Sequence, residues 1–234
     1  MNSQASLNSR LYRDERKSEK LEMVGDLAAG IVHEIRNPLT SISGFVKLLE
    51  QGSIKQDYFN IIYASFNDIE EYLTELLIIA KPQPSQQKLE DITLIIESVI
   101  ETIKPQLENT KNIHLQTDFE QDIPPIFCDA DHIKIAIKHL IVNGIEALSN
   151  DGVLTISVKN EGSNLLIKIV DNGIGISEDR LEKLGEPFFS LKEKGTGIGL
   201  MVCYRIIWQY NGSITVESEE SKGTTVEIRL PFST

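Results

Sequence analysis

The chain has 234 residues, 41% hydrophobic and 25% charged, with a formal net charge of -12 at pH 7. This composition is typical of globular proteins and predicts one large domain or two modest ones. The acidic balance argues against a nucleic-acid partner, because no surplus of lysine and arginine exists to neutralise phosphates. No signal peptide or membrane-length apolar run is present, so we expect a cytoplasmic location, with membrane attachment only if an additional N-terminal sensor supplies it.

The first eighty residues show apolar positions at helical spacing. A seam beginning at Leu7 alternates steps of three and four residues up to Ile35, as in a coiled coil or helical bundle. A second helix is predicted from Ile54 to Ala80, and Gln51-Gly52-Ser53 forms the turn between the two. One such hairpin exposes too much apolar surface to be stable alone, whereas two hairpins make a four-helix bundle. We therefore expect a homodimer.

After the segment Lys81-Pro82-Gln83-Pro84-Ser85, which ends the helix, the pattern changes to alternating strands and helices. Helices are predicted over 94–108, 129–148 and 197–210, and strands over 113–119, 153–159, 165–171, 213–217 and 224–230. Residues 172–196 lack periodicity, which indicates a mobile loop. The fold class is therefore α+β, a helical hairpin followed by an α/β sandwich with an antiparallel sheet. Cys128 and Cys203 lack metal-binding spacing and are expected to be reduced core thiols.

One segment of the first helix has reactive chemistry: His33-Glu34-Ile35-Arg36-Asn37-Pro38-Leu39-Thr40. An imidazole beside an acid is a plausible nucleophile with a base at hand. The proline removes a helix hydrogen bond just beyond the histidine and loosens the helix there. A lone histidine on a helix is more often structural, so this segment gains weight only from the glycine-rich segments downstream.

Two glycine-rich segments have the composition of a nucleotide site. Asp171-Asn172-Gly173-Ile174-Gly175-Ile176 follows an apolar strand, where the aspartate suits the exocyclic amine of adenine and the glycines permit close approach. Gly195-Thr196-Gly197-Ile198-Gly199-Leu200 precedes a helix whose N–H groups form a phosphate site. Asp-Gly turns and helix-opening glycines are also ordinary structural features. The second segment lacks the preceding strand of a dinucleotide fold and the Lys-Ser/Thr ending of a P-loop.

The helix predicted over 129–148 carries His139, Asn143 and Glu146 on one face. An asparagine oxygen facing phosphates is a reasonable Mg²⁺ ligand, because magnesium prefers hard oxygen donors. Lys192 and Lys194, in the predicted loop, are placed to reach a γ-phosphate as point charges. Taken singly, each of these residues also fits a solvated surface.

In combination, these segments resemble the two-component sensor histidine kinases over residues 20–234. The segment from His33 to Leu39 is similar to the H-box of that family, and the segment from Asp171 to Gly175 to its first glycine box. Residues 186–190 resemble the F-box, 195–200 the second glycine box and 223–225 the third. The H-box and residues 186–200 look most similar to the sporulation-type phosphorelay kinases.

The resemblance implies a role for each matching residue. His33 would be the phosphoacceptor and Glu34 its general base, while Asn37 would orient the transferring phosphoryl group or a hydrolytic water. Asp171 would bind adenine and Asn143 would hold Mg²⁺, with His139 left open as a second metal ligand. The other ATP-binding positions would be Gly173, Gly175, Lys192, Lys194, Gly195, Thr196, Gly197, Gly199, Leu200 and Thr224.

The resemblance also implies a domain organisation and a reaction. Residues 1–22 would be a transmitting helix, 23–82 the dimerisation and histidine phosphotransfer domain, 83–89 a linker and 90–234 the catalytic ATP-binding domain. The cofactors would be ATP and Mg²⁺, and the phosphoryl group would pass from ATP to His33 and then to an aspartate of a response regulator. That regulator would dock on the bundle near His33. The spacing of Glu34 and Asn37 also implies phosphatase activity toward the regulator.

One helix departs from the family pattern, which usually has two asparagines four residues apart followed by alanine. Here His139 takes the first position, and Gly144 follows Asn143. Imidazole is a softer ligand that titrates near neutral pH, and glycine lowers helix propensity by up to about 1 kcal/mol. A degenerate kinase acting as a nucleotide-binding dimeric scaffold or phosphatase therefore stays open. A conformational ATPase also stays open. The related ATP-hydrolysing proteins, however, carry a water-activating glutamate where this chain has His139, which counts against that function.

Overall fold

The structure, a computed structural model, describes residues 32, 35–80, 86–110, 113–149, 151–184 and 198–232. The described chain divides into two compact units. Residues 35–80 belong to the first unit, and residues 86–184 together with 199–232 belong to the second. The helices in these ranges are all too short or too polar to cross a lipid bilayer.

The first unit is a helical hairpin. Helix α1 covers residues 35–50 of the described chain, and helix α2 covers Gln56–Ala80. The rings of Phe45 and Tyr58 lie 5.1 Å apart, centroid to centroid, and so join the two helices near the turn. Helix α1 runs through Pro38, whose side chain is buried, so the proline does not interrupt the helix within these residues. The predicted hairpin is confirmed.

One face of α2 is apolar and exposed. Phe59, Phe66 and Leu73 recur every seven residues and Leu77 follows one turn later, with exposed fractions of 38%, 50%, 44% and 51%. We call these four residues the α2 stripe. The neighbouring face, which includes Ile62, is half-buried. The seven-residue repeat is the spacing of a seam between packed helices.

The second unit is built on a mixed sheet. Its five strands lie in the order β2-β4-β5-β7-β6. They are β2 (His114–Phe119), β4 (Val153–Glu161), β5 (Asn164–Asp171), β6 (Ser213–Glu219) and β7 (Gly223–Pro231). The β2–β4 pair is parallel, and the other neighbours are antiparallel. Strands β4 to β7 thus confirm the predicted antiparallel sheet. Strand β2, which precedes α4 in the chain, departs from the prediction because it runs parallel to β4.

The helices of the second unit provide the other layer of its core. They are α3 (Ile92–Thr110), α4 (Ala130–Ala147), the short α5 (Glu178–Leu181) and α6 (Ile198–Gln209). Leu154, Ile156 and Val158 of β4 are fully buried and alternate with half-buried residues, which is the pattern of a strand covered on one face. The Cys203 thiol of α6 donates to the carbonyl oxygen of Ala136 in α4 at 3.4 Å, so these two helices lie in direct contact.

Cys128 and Cys203 are free and buried, as expected. Burial in apolar surroundings raises the pKa of the Cys128 thiol to about 12, because the thiolate would be poorly solvated there. This thiol therefore stays protonated and chemically inert near neutral pH.

Sequence patterns missed the shortest elements. Strands β1 (Lys88–Glu90) and β3 (Ile126–Cys128) form a separate antiparallel pair, and β1 begins within the stretch predicted as a linker. Three residues are too few to show alternation, and the pairing depends on a partner almost forty residues away. Helix α5 likewise lies inside the stretch 172–196, which was predicted to be irregular throughout. The mobility expected of that stretch stays a prediction.

Candidate nucleotide-binding site

The structure describes about half of the predicted site residues. Asn37 is exposed on α1. The second unit contains Asn143, Asp171, Gly173, Gly175, Gly199, Leu200 and Thr224, together with His139. Outside the described residues lie His33, Glu34, Lys192, Lys194, Gly195, Thr196 and Gly197, together with the F-box.

Asp171 is the centre of the described site. It is the last residue of β5, lies opposite Thr224 of β7 and is only 7% exposed. Its Oδ1 accepts hydrogen bonds from the backbone N–H groups of Gly173 at 2.8 Å and Thr224 at 3.3 Å. Burial raises the pKa of this carboxyl group, and the two N–H donors partly oppose that shift. Since both backbone donors in the described chain reach Oδ1, Oδ2 is the oxygen placed to accept from a ligand.

The loop after Asp171 is held against α4 and against the β6–β7 turn. A Cβ on Gly173 would lie 2.4 Å from the carbonyl oxygen of Ala147, so only glycine fits there. That same carbonyl accepts from the N–H of Ile174 at 3.0 Å. Gly175 has φ +65°, and a Cβ on it would lie 2.0 Å from the carbonyl oxygen of Glu219. The two glycines of the segment therefore serve to dock the loop on its neighbours.

Asn172 has a structural role within the same segment. Its side-chain Oδ1 accepts from the backbone N–H of Val153 at 2.8 Å, and its own N–H donates to the Val153 carbonyl at 3.3 Å. These bonds attach the loop to the first residue of β4 and help to hold Asp171 at the edge of the site.

A third group at this site was not found from the sequence. The hydroxyl oxygen of Ser218 lies 2.9 Å from Thr224 Oγ1 and accepts from the N–H of Ile176 at 2.8 Å. A signal was available, because the predicted β-hairpin around residues 219–223 places Ser218 directly opposite Thr224. Only the structure, however, shows that Ile176 also reaches this hydroxyl.

On α4, His139 is half-buried and Asn143 is exposed. The imidazole packs on the backbone of Gly199 in α6, because a Cβ on that glycine would lie 2.9 Å from His139 Nδ1. His139 therefore lies beside the segment to which the family pattern assigns phosphate binding.

The departure at Gly144 has a packing explanation. This residue is buried in α4, and a Cβ on it would lie 2.6 Å from Cδ1 of Leu154 in β4. The leucine methyl occupies the space that an alanine side chain would otherwise take. Glycine lowers the helix propensity at this position, but it allows α4 to pack directly on the sheet.

The donor groups on α4 fit a magnesium ion only in company with phosphates. Within the described ranges, no three His, Cys, Asp or Glu side chains cluster in a way that would hold a metal. Magnesium is commonly held by one or two protein oxygens, nucleotide phosphates and retained waters, so a single asparagine oxygen is a sufficient protein contribution.

A shallow hollow next to Ile176 is a poor place for the phosphates. Three glutamates line it, namely Glu178, Glu219 and Glu220. Their negative charge would repel a triphosphate. A triphosphate would be better placed on the α4 and α6 side, where His139 and Gly199 meet.

Two protein families match this chain. Residues 23–85 match the His Kinase A (phospho-acceptor) domain. Residues 128–234 match the histidine kinase-, DNA gyrase B-, and HSP90-like ATPase family. The second match covers the chain from α4 to β7, which includes the nucleotide-site geometry described above.

Relatives of known identity agree with these matches. Sporulation kinase E of Bacillus subtilis (strain 168) is 44% identical over 220 residues, covering 92% of this chain and 30% of that protein. The structure of the Acinetobacter baumannii histidine kinase AdeS is 25% identical with a TM-score of 0.63, covering 86% of this chain and 98% of that one. Histidine kinase ThkA in complex with response regulator protein TrrA is 25% identical with a TM-score of 0.66, covering 95% and 66%. The chain spans 30% to 52% of the length of the sporulation kinases that it matches.

Proposed function

Since this chain belongs to the histidine kinases, we propose that it is the phosphotransfer core of a two-component sensor. The observation that carries this proposal is the buried carboxylate of Asp171, which keeps Oδ2 for a ligand on a chain that also has a phospho-acceptor domain. In the proposed reaction, a ring nitrogen of His33 attacks the γ-phosphorus of ATP. The bond to the β,γ-bridging oxygen breaks, ADP leaves, and Glu34 takes the proton from the other ring nitrogen.

The described site residues fit this reaction as positioning groups. Asp171 Oδ2 would accept from the exocyclic amine of adenine, and the phosphates would lie between α4 and α6. Asn143 would hold Mg²⁺ together with the phosphates, and the ion would neutralise the charge of the triphosphate. Phosphoryl transfer depends mainly on such positioning and charge neutralisation, so few protein groups need to react.

The predicted homodimer is supported by the α2 stripe. The stripe leaves aromatic and leucine side chains more than a third exposed in one protomer, at the seven-residue spacing of a helical seam. A second copy of the hairpin would cover it and complete a four-helix bundle.

The second proposed partner is the receiver domain of a response regulator. It would take the phosphoryl group from His33 onto an aspartate. Histidine kinase ThkA, which resembles this chain, has been solved with its response regulator protein. Phosphatase activity toward the regulator, in which Asn37 orients a water that hydrolyses the phosphoaspartate, is a further proposed activity, and Asn37 is exposed on α1 as that role requires.

We place the reaction in the cytoplasm, where ATP is available. The two buried cysteines are free thiols, which fits a reducing compartment.

Labelled ATP tests the main proposal. Wild-type protein should acquire acid-labile, alkali-stable label, and the His33→Ala variant should acquire none. His114→Ala is the matched control, because His114 is an exposed histidine at the start of β2 and should not affect labelling. Acid-labile, alkali-stable label that persists on the His33→Ala variant would show that another residue is the acceptor.

A second candidate function, a weakly active kinase serving as a scaffold or phosphatase, is favoured by one observation. His139 stands where the family usually has asparagine, and its ring packs on Gly199. If that residue limits catalysis, His139→Asn should raise the rate of label incorporation severalfold. An unchanged or lower rate in His139→Asn would remove the reason for this second candidate.

A further inference from the structure

Ser218 connects three segments around the base-binding end of the site. Its hydroxyl oxygen lies 2.8 Å from the backbone nitrogen of Ile176, 2.9 Å from the carbonyl oxygen of Gly223 and 2.9 Å from Thr224 Oγ1. Ile176 belongs to the loop after β5, whereas Gly223 and Thr224 begin β7. Ser218 itself lies on β6, directly opposite Thr224.

The donor and acceptor capacity of each group determines the direction of the three hydrogen bonds at the Ser218 hydroxyl. A serine hydroxyl donates one hydrogen bond and accepts two. The Gly223 carbonyl can only accept, so it receives the Ser218 proton. The Ile176 N–H can only donate, so it takes one acceptor position of the oxygen. The remaining contact is satisfied when Thr224 donates its own proton to Ser218, which then has all of its hydrogen bonds made.

Thr224 is consequently left as an acceptor. With its proton committed to Ser218, Thr224 Oγ1 can only receive hydrogen bonds from a ligand. Its neighbour Asp171 is also an acceptor when ionised, and the Thr224 N–H already donates to Asp171 Oδ1 at 3.3 Å. Both residues are largely buried, with exposed fractions of 7% and 9%, so water offers little compensation for a mismatched ligand group.

We propose that Ser218 is a positioning residue that determines base specificity, because it takes the Thr224 proton and so makes the pocket accept a 6-amino purine and reject a 6-oxo purine. This inference rests on the proposed nucleotide-binding function. An amino group offers protons to the two acceptors, whereas a carbonyl oxygen would face them with its own lone pairs. Adenine fits this pattern, and hypoxanthine and guanine do not.

ATP and ITP test the proposal, because the two nucleotides differ only in the amino or oxo group at position 6 and the adjoining ring proton. Their affinities for the full chain are measured by titration calorimetry. Wild-type protein should prefer ATP. In Ser218→Ala the Thr224 hydroxyl is released to donate to the 6-oxo group, so the ATP:ITP affinity ratio should fall about tenfold, with a gain for ITP.

Three further variants separate specificity from a merely structural role. Ser218→Thr keeps the hydroxyl and should restore the wild-type ratio. In the double variant Ser218→Ala/Thr224→Val no hydroxyl is left to donate, so the ITP gain should disappear. Ser213→Ala makes the same change at the exposed first residue of β6 and should leave both affinities unchanged.

The possible failures are distinguishable. If Ser218→Ala weakens ATP and ITP equally, Ser218 only supports the loop and the specificity proposal is wrong. If Ser218→Ala does not fold, Ser218→Cys, which keeps the shape but forms weak hydrogen bonds, should lower the ratio in the same direction, and an unchanged ratio there also overturns the proposal. Wild-type protein that binds neither nucleotide would overturn the proposed function itself.

Discussion

The two units of this chain cover their apolar surface in different ways. The second unit encloses its core within one protomer, where Ile137, Ile167 and Ile206 are completely buried. The first unit leaves the whole α2 stripe at least 38% exposed. A sheet covered by helices can surround a core, whereas two helices cannot. The contrast teaches that the second unit covers its core by its own packing, whereas the first leaves an apolar stripe that a second copy would cover in the proposed homodimer.

The largest expected effect comes from opening the core of the second unit. Ile167→Ala should lower its free energy of unfolding by about 2–5 kcal/mol, because the side chain is fully buried and leaves a cavity. Chemical denaturation measures the loss. Leu89→Ala, at a position 64% exposed, is the control and should change stability by roughly 0.5 kcal/mol at most. Equal effects of the two changes would contradict a self-contained core.

A charge on the α2 stripe should break the first unit selectively. Phe66→Asp is expected to weaken dimerisation by about 3 kcal/mol, or roughly a hundredfold in the dissociation constant, through lost contact and a desolvated charge. Sedimentation equilibrium measures this constant. Leu94→Asp places the same charge on a side chain of the second unit that is 62% exposed, and the dimer should tolerate it. A Phe66→Asp protein that dimerises like wild type would argue against the stripe as the interface.

Nucleotide binding by the second unit should weaken at a pH higher than the pH at which an ordinary exposed aspartate becomes protonated. Since Asp171 Oδ1 accepts two backbone N–H bonds, protonation would place the proton on Oδ2 and turn the oxygen assigned to the amine into a donor. Burial raises the pKa of this carboxyl group, so the carboxylate is lost at a higher pH than usual. Below that pKa, the ATP:ITP affinity ratio should fall by up to about tenfold per pH unit. Using the ratio cancels the titration of the phosphates. A ratio that holds down to the pH range of exposed aspartates would refute the assignment.

The smallest expected effect concerns the fit between α4 and the sheet. Gly144→Ala should gain helix propensity but meet the Leu154 methyl, so its net effect on stability should be within about 1 kcal/mol. Gly144→Ala combined with Leu154→Val should be more stable than the two single changes predict by summation. A double-mutant cycle from thermal unfolding measures the coupling, and strict additivity would contradict direct contact.

Much of the fold follows from local patterns in the sequence. The helical hairpin, α4 and the strands β4 to β7 were all predicted, because each is long enough to show its period. The strands β1 and β3 were missed, since three residues show no period and their pairing is non-local. The polar set with Asp171 and Thr224 was predicted by resemblance, but Ser218 was not. A serine in a strand has no distinctive local signal, and the one available sign was the predicted hairpin, which places Ser218 opposite Thr224.

By itself, the sequence determined which chemical groups are present and which faces are apolar. A buried strand ending in Asp171, glycines where the chain must pass close to its neighbours, and the repeat of the α2 stripe are all properties of short segments. The tertiary structure alone decided which groups meet. It placed His139 on Gly199 across sixty residues and Ser218 beside both Ile176 and Thr224. The physical reason is that the direction of a hydrogen bond depends on all its neighbours, and strand register and helix packing bring those neighbours from distant parts of the chain.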